Sequence, residues 1–136
     1  MDRHLAFSVF VPLEPQPASR PIVSRYGTRY GKKHQAYVQQ FTDWVAAVQD
    51  DLEWQDTGKQ LTSVLLTFYS TKAKTSKLTT PRYDVDNAIK LILDCMGNTG
   101  LVWHDDKYIK HIEATKRFRD PEEDAGTLFE LFIIED

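Results

Sequence analysis

Three carboxylates and a lysine in the second half of the chain have the residue types and spacing of a metal-dependent site for cleaving phosphodiesters. Asp84 and Asp86 are two residues apart, Lys90 follows one helical turn later, and Asp106 is the second member of the pair Asp105–Asp106. Converging carboxylates repel one another unless a cation neutralises them. Mg²⁺ prefers such oxygen ligands, and we expect Mn²⁺ to substitute for it. Lys90 would then stabilise negative charge that develops on the phosphate or orient the attacking water.

The same residues also have ordinary structural explanations. Asp84 is a natural N-cap for a helix, and the helix dipole favours a second acid, Asp86, in the first turn. Lys90 could form ion pairs with Asp86 and Asp94, each four residues away. On the pattern alone, the capping and ion-pair explanation stays open beside the catalytic one.

Other kinds of site fit the sequence less well. A calcium-binding loop starting at Asp84 needs Gly and Glu at its sixth and twelfth positions, which Ile89 and Cys95 occupy. Cys95 lies on the predicted packing side of a helix, and no histidine has a recognisable catalytic partner. His104, next to Asp105, is the only histidine near the predicted site; it either contacts metal or substrate or has an ordinary surface role.

The apolar periodicity predicts the elements that must position these residues. We predict an α/β (α+β) fold in which two main helices pack on a small mixed four-stranded sheet, in the order β-α-β-α-β-β and as one domain over residues 1–136. The last two strands are predicted to form a hairpin. The predicted strands cover residues 5–11, 61–69, 108–118 and 128–134; the first helix carries the apolar stripe Tyr37, Phe41, Trp44, Val45, Val48 and Leu52, with Trp54 as a further candidate, and the second covers residues 84–96.

Two connecting segments are important for the predicted site. Prolines at positions 12, 15, 17 and 21 predict a long irregular loop that continues through Gly31. Residues 101–106 are long enough, if extended, to run back along the second helix and bring Asp106 to Asp84 and Asp86. We therefore expect the three carboxylates to converge.

Charge is unevenly distributed along the chain. The formal net charge is −3, but two segments, 20–33 and 72–82, contain only cations among their charged residues, while acids gather at residues 50–53 and 122–124 and at the C-terminus. A basic face attracts phosphates even on an acidic protein, so we expect these cations to bind DNA. They are Arg20, Arg25, Arg29, Lys32, Lys33, Lys72, Lys74, Lys77 and Arg82.

Cysteine content and hydropathy suggest a cytoplasmic protein. The single cysteine, Cys95, excludes an internal disulfide and fits a reducing compartment. The apolar run Leu5–Val11 is too short for an ordinary signal-peptide core and far too short to span a membrane. We expect no membrane partner.

The motif Asp84-x-Asp86-Asn87-x-x-Lys90, followed by Asp94, a glycine-bearing turn and Asp105–Asp106, resembles the RusA-type Holliday junction resolvases. These crossover-junction endodeoxyribonucleases are often carried by prophages. The resemblance extends to Arg20–Pro21 in a basic loop before an aromatic-striped helix, and to Lys116 where the family tends to carry a lysine. We therefore add Lys116 to the predicted DNA-binding residues.

The resemblance implies a homodimer that uses Mg²⁺ to make paired nicks in opposing strands of a four-way DNA junction. It also implies that Asp84, Asp86 and Asp106 act with the metal and that Lys90 is catalytic; Asp105 is the alternative to Asp106 as ligand. The N-terminal loop departs from an asparagine-containing version found in some members, which affects how strands are gripped. Two alternatives remain: a nuclease for flaps, forks or other branched DNA, and a non-catalytic DNA-binding module.

Overall fold

A computed structural model describes residues 2–135 of the 136-residue chain. It contains six strands, two α-helices and two single-turn 3₁₀ helices, at Gln49–Asp51 and Asp106–Tyr108. The predicted architecture, two helices on a mixed four-stranded sheet, is confirmed. In chain order the strands and α-helices are β1 (Asp2–Val11), β2 (Ile22–Ser24), β3 (Gly27–Arg29), α1 (Lys32–Val48), β4 (Thr62–Ser70), α2 (Val85–Asn98), β5 (Ile109–Phe118) and β6 (Gly126–Glu135).

The main sheet has the strand order β1-β6-β4-β5, in which β4 and β5 run parallel and the other neighbours run antiparallel. The predicted hairpin of the last two strands is therefore wrong, because β4 lies between β5 and β6. The physical reason is burial. The apolar strands β4 and β6 are covered best in the centre, whereas β5 carries Lys110, Glu113 and Lys116 and is tolerated at the sheet edge.

One cluster of buried residues joins the sheet to both helices. On β4 the alternating residues Val64, Leu66 and Phe68 face this cluster, while Leu65 and Tyr69 point to the opposite face and are only half-buried. The helices contribute one apolar stripe each. The stripes consist of Tyr37, Phe41 and Val45 from α1 and Ala88, Leu91, Ile92, Cys95 and Met96 from α2.

The segment β4–α2–β5 is a parallel βαβ unit, and this topology decides where the predicted site residues lie. Helix α2 starts after the chain leaves the carboxyl end of β4, and β5 starts after the chain has returned to the other end. Asp84 therefore lies beyond the end of β4, whereas Asp106 lies before the start of β5. These two places are at opposite ends of the parallel pair.

The N-terminal loop is more ordered than predicted. It is irregular only through Pro21, after which β2 and β3 form a small antiparallel hairpin and α1 begins at Lys32, before the apolar stripe. Helix α1 ends at Val48, so Leu52, which was predicted to lie in its apolar stripe, is outside it. Trp54 also lies outside the helix and stacks on Phe7 with ring centroids 4.9 Å apart. Within residues 2–135 no helix has the length and apolarity needed to cross a membrane.

Candidate active site

Asp84 and Asp86 lie at the first turn of α2 with exposed side chains. Asp84 occupies the N-cap position, but its carboxylate accepts no capping hydrogen bond. Its backbone carbonyl oxygen accepts from the N–H groups of Asn87 at 3.2 Å and Ala88 at 3.3 Å. The structure therefore does not show the side-chain cap that the sequence suggested for Asp84. Both carboxylates face solvent at the positive end of the helix dipole.

Lys90 is exposed one turn after Asp86 on α2. Among the described residues, no salt bridge within 4.0 Å joins Lys90 to Asp86 or Asp94. The structure therefore does not show the ion pairs of Lys90 that the sequence suggested. The ammonium group and the two carboxylates are thus exposed within the first two turns of α2 and accessible to a ligand.

The segment leading into α2 is held by the carboxyl ends of the parallel strands. The hydroxyls of Tyr83 and Ser70 share a hydrogen bond of 2.8 Å, and the ring of Tyr83 packs edge-on to Phe68. Burial is the main reason that the pKa of Tyr83 is raised, so the phenol stays protonated. These contacts connect Asp84 to the end of β4.

Lys116 holds the same segment from β5. Its Nζ donates to the carbonyl oxygen of Pro81 at 2.8 Å and to that of Tyr83 at 2.5 Å, and it lies 5.5 Å from the centroid of the Tyr83 ring. The side chain is half-buried. In the structure Lys116 thus holds the residues just before Asp84, and its predicted DNA contact stays a prediction.

Asp105 and Asp106 lie at the other end of α2. The indole Nε1 of Trp103 donates to Oδ1 of Asp106 at 2.5 Å, and the same oxygen lies 3.1 Å from where a Cβ on Gly97 would be. Asp105 caps the following 3₁₀ turn by accepting from the N–H of Lys107 at 2.8 Å. Each of the two carboxylates therefore accepts one local hydrogen bond, and the choice of Asp106 over Asp105 as a ligand stays a prediction.

Asp105 and Asp106 both line a shallow cleft of about 250 Å³. His104 lines it with an exposed side chain, together with Asp94 and Asn98 from the last turns of α2. His104 thus lies beside Asp106, as its sequence position suggested, and away from Asp84 and Asp86.

The three carboxylates do not converge within one chain, so the expectation that residues 101–106 return Asp106 to the start of α2 is wrong. Asp86 and Gly97, the neighbour of Asp106, are eleven residues apart on α2, which corresponds to roughly 16 Å along the helix axis. Ligands of a single Mg²⁺ lie about 2.0–2.1 Å from the ion. Within residues 2–135, no group of three or more acidic, histidine or cysteine side chains could hold a metal ion.

The two basic segments flank the start of α2. The N–H of Ala18 donates to the carbonyl oxygen of Asn87 at 2.9 Å, and the N–H of Thr71 donates to the Glu14 carboxylate at 3.0 Å. Residues next to both basic segments are thereby held at the carboxyl end of the parallel pair, whereas Tyr30, near the end of the first segment, shares a cleft with Asp94 and Asn98 in the second half of α2. All nine predicted cations of these segments are exposed: Arg20, Arg25, Arg29, Lys32, Lys33, Lys72, Lys74, Lys77 and Arg82.

Ser19 and His34 form a clamp that the sequence analysis missed. His34 Nδ1 accepts the backbone N–H of Ser19 at 3.0 Å, and Ser19 Oγ accepts the N–H of Gly31 at 2.9 Å. The His34 ring stacks on Tyr30 with centroids 4.2 Å apart. Burial lowers the pKa of His34, Asp94 opposes this, and Lys90 reinforces it. The neutral ring is thus favoured, as its acceptor role requires.

One family of known proteins matches most of the chain. The sequence model described as "Endodeoxyribonuclease RusA" matches residues 12–123, which include the basic hairpin, both helices, Asp84, Asp86, Lys90 and Asp106. A comparison with curated protein sequences gives no significant match. Since the family match covers most of the chain, the protein belongs to the RusA endodeoxyribonuclease family.

Proposed function

We propose that this endodeoxyribonuclease resolves four-way DNA junctions by paired nicks, as a homodimer that depends on Mg²⁺. The observation that carries the proposal is the start of α2, where Asp84, Asp86 and Lys90 stand exposed and without side-chain partners between two acid-free basic loops. Family membership supports a nuclease acting on junctions. Cations on both sides of the carboxylates would hold the phosphates of a strand that crosses them.

Each residue has a role that follows from its place. Asp84 and Asp86 offer hard oxygen ligands, and a bound Mg²⁺ would supply an activated water and charge neutralisation at the phosphate. Lys90, one turn further along α2, would stabilise the charge that develops on the scissile phosphate. Arg20, close in sequence to the contact between Ala18 and Asn87, would position the strand by its phosphate.

The donor set of one chain is incomplete, because it brings only two carboxylates to the start of α2. We infer that Asp106 of a second copy completes the set, which makes each site a joint product of two chains. This arrangement would supply the homodimer with two sites. Two sites are also what paired nicks in opposing strands require.

The activity is tested with four substrates of equal arm length: a four-way junction, a flap, a fork and a linear duplex. We expect symmetric nicks in the four-way junction with Mg²⁺ or Mn²⁺ and no nicks with EDTA, and we expect Asp86→Asn to bind the junction without cutting it. Cutting of flaps or forks in preference to junctions would indicate the alternative nuclease. Binding with no cutting under any condition would indicate a non-catalytic module.

The shared site is tested by mixing two inactive variants, Asp86→Asn and Asp106→Asn, and allowing subunits to exchange. If Asp106 acts in the other copy's site, a mixed dimer has one doubly altered site and one intact site. Nicking of a single strand should then return on mixing. If each chain holds its own site, no mixed dimer contains an intact one, and the mixture should stay inactive.

A further inference from the structure

The β2–β3 hairpin carries two predicted DNA-binding residues, Arg25 and Arg29, and also exposes apolar and aromatic side chains to which neither the sequence nor the family match assigns a role. All residues from Ile22 to Arg29 are exposed, including apolar and aromatic ones: Val23 is 75% exposed and Tyr26, at the tip, is 84% exposed. Apolar side chains grouped on a protruding element mark a binding surface more often than isolated ones do. An isolated two-stranded hairpin is also only marginally stable without a partner.

The charges around the hairpin limit what that partner can be. Arg25 and Arg29 lie on the hairpin, Lys32 and Lys33 follow it at the start of α1, and residues 20–33 contain no acid. A polyanion is therefore the partner that complements this surface. The tip adds to the charge an aromatic ring, which can stack on the face of a nucleobase.

The ring at the tip is contacted by its neighbour Arg25. The Arg25 guanidinium donates to the Tyr26 hydroxyl at 2.6 Å and lies 4.9 Å from the centroid of its ring. Gly27 has a φ of +114°, a turn conformation that residues with a side chain rarely adopt. The hairpin base is fixed by the Ser19 clamp, next to the contact of Ala18 with α2.

We propose that the hairpin tip enters the branch point of the DNA substrate, where Tyr26 stacks on an exposed base while Arg25 and Arg29 contact the flanking phosphates. This inference rests on the proposed function. The hairpin projects from the loop that is held against the first turn of α2, so a base captured at the tip sets the distance from branch point to Asp84 and Asp86.

Stacking at the tip would also provide selectivity for branched DNA. In a continuous duplex each base is already stacked on both faces, and separating two base pairs to admit a ring costs a few kcal/mol per step. At a branch point the stack is interrupted, and the cost of exposing a base face is lowest where pairing is already weakened. The Tyr26 contact should therefore favour the junction and contribute little on linear duplex.

The test compares the dissociation constants of the intact protein for a four-way junction and for a linear duplex of matched sequence, with EDTA to prevent cutting. Tyr26→Ala should weaken junction binding by about 5-fold to 150-fold, the range expected for one aromatic–base stack. Duplex binding should change by less than about 2-fold, as expected for a contact confined to the branch point. Tyr26→Phe, which keeps the ring, should restore junction binding, and Thr28→Ala on the same hairpin is the matched control.

Three results would overturn the proposal. If Tyr26→Ala weakens binding to the junction and to the duplex equally, Tyr26 is a general DNA contact. If Tyr26→Ala leaves junction binding unchanged, the tip lies outside the complex. If Tyr26→Phe does not restore junction binding, the hydroxyl and not the ring is used. If the unaltered protein cuts junctions while one of these results holds, only the hairpin inference fails. If the unaltered protein neither prefers nor cuts junctions, the proposed function fails as well.

Discussion

Replacing Lys116 by Met tests whether the start of α2 is positioned by the sheet. Met keeps an unbranched apolar stem and removes the ammonium group, which donates to the carbonyl oxygens of Pro81 and Tyr83. A hydrogen bond from a charged donor contributes about 1.5–3 kcal/mol. Because Lys116 is half-buried and water can reach part of the site, we expect a total loss of about 1–3 kcal/mol in the free energy of unfolding.

The same change should reduce cleavage without altering the electrostatic part of DNA binding. A shift of about 1 Å in a catalytic group can cost on the order of 100-fold in rate, and Asp84 follows Tyr83 directly. Single-turnover cleavage of a saturating junction should therefore slow substantially. The dependence of binding on salt concentration should keep its slope, because the ammonium group contacts protein carbonyls.

Lys77→Met is the matched control. Lys77 is exposed in the second basic segment, and among residues 2–135 it makes no hydrogen bond or salt bridge within the protein. This variant should change stability by less than about 0.5 kcal/mol and lower the salt slope by roughly one unit. If Lys116→Met instead kept full stability and lowered the slope by about one unit, Lys116 would be a phosphate contact and the positioning role would be wrong.

Three further predictions test other parts of the site. Lys90→Ala should slow single-turnover junction cleavage by on the order of 100-fold or more with little change in binding or stability, and a rate within a few-fold of the original would exclude a catalytic role. Gly97→Ala should leave thermal stability nearly unchanged, because the better helix propensity of Ala offsets the crowding of Asp106 and Trp103. Cleavage should fall, because the crowding displaces the Asp106 carboxylate. An unchanged cleavage rate would show that cleavage does not depend on the position of this carboxylate. Burial lowers the pKa of His34 in the folded state, so its contribution to stability is present above about pH 6.5 and is lost as the pH falls through the folded-state pKa. His34→Gln should therefore make the denaturation midpoint depend less on pH between pH 7.5 and 5. An unchanged pH dependence would contradict this.

The sequence predicted the elements that carry strong apolar periodicity. The strand 61–69 and the helix 84–96 lie within two residues of β4 and α2, because a continuous apolar run and a regular stripe leave few other structures. The start of α1 was missed because its first turn, Lys32 to Gln35, is polar and has no apolar stripe. The β2–β3 hairpin was missed because its strands are only three residues long and fully exposed.

Strand order and the meeting of side chains depend on contacts that are distant in the chain. Nearness in sequence favoured a hairpin of the last two strands, although the charges of Lys110, Glu113 and Lys116 were a usable sign that β5 lies at an edge. The choice of Asp84, Asp86 and Lys90 as a group was possible from spacing, and they share the start of α2. The position of Asp106 could not be predicted from spacing, because the path of residues 101–106 depends on how Trp103 packs into the core.

The separation of Asp106 from Asp84 and Asp86 along α2 has a consequence for the reaction order. Under the proposed two-copy site a lone chain is inert, so below the dimer dissociation constant the cleavage rate should rise with the square of protein concentration. Both sites would also form in the same association event and be lost in the same dissociation event. A diluted enzyme would then leave junctions uncut and would not release half-processed, singly nicked DNA.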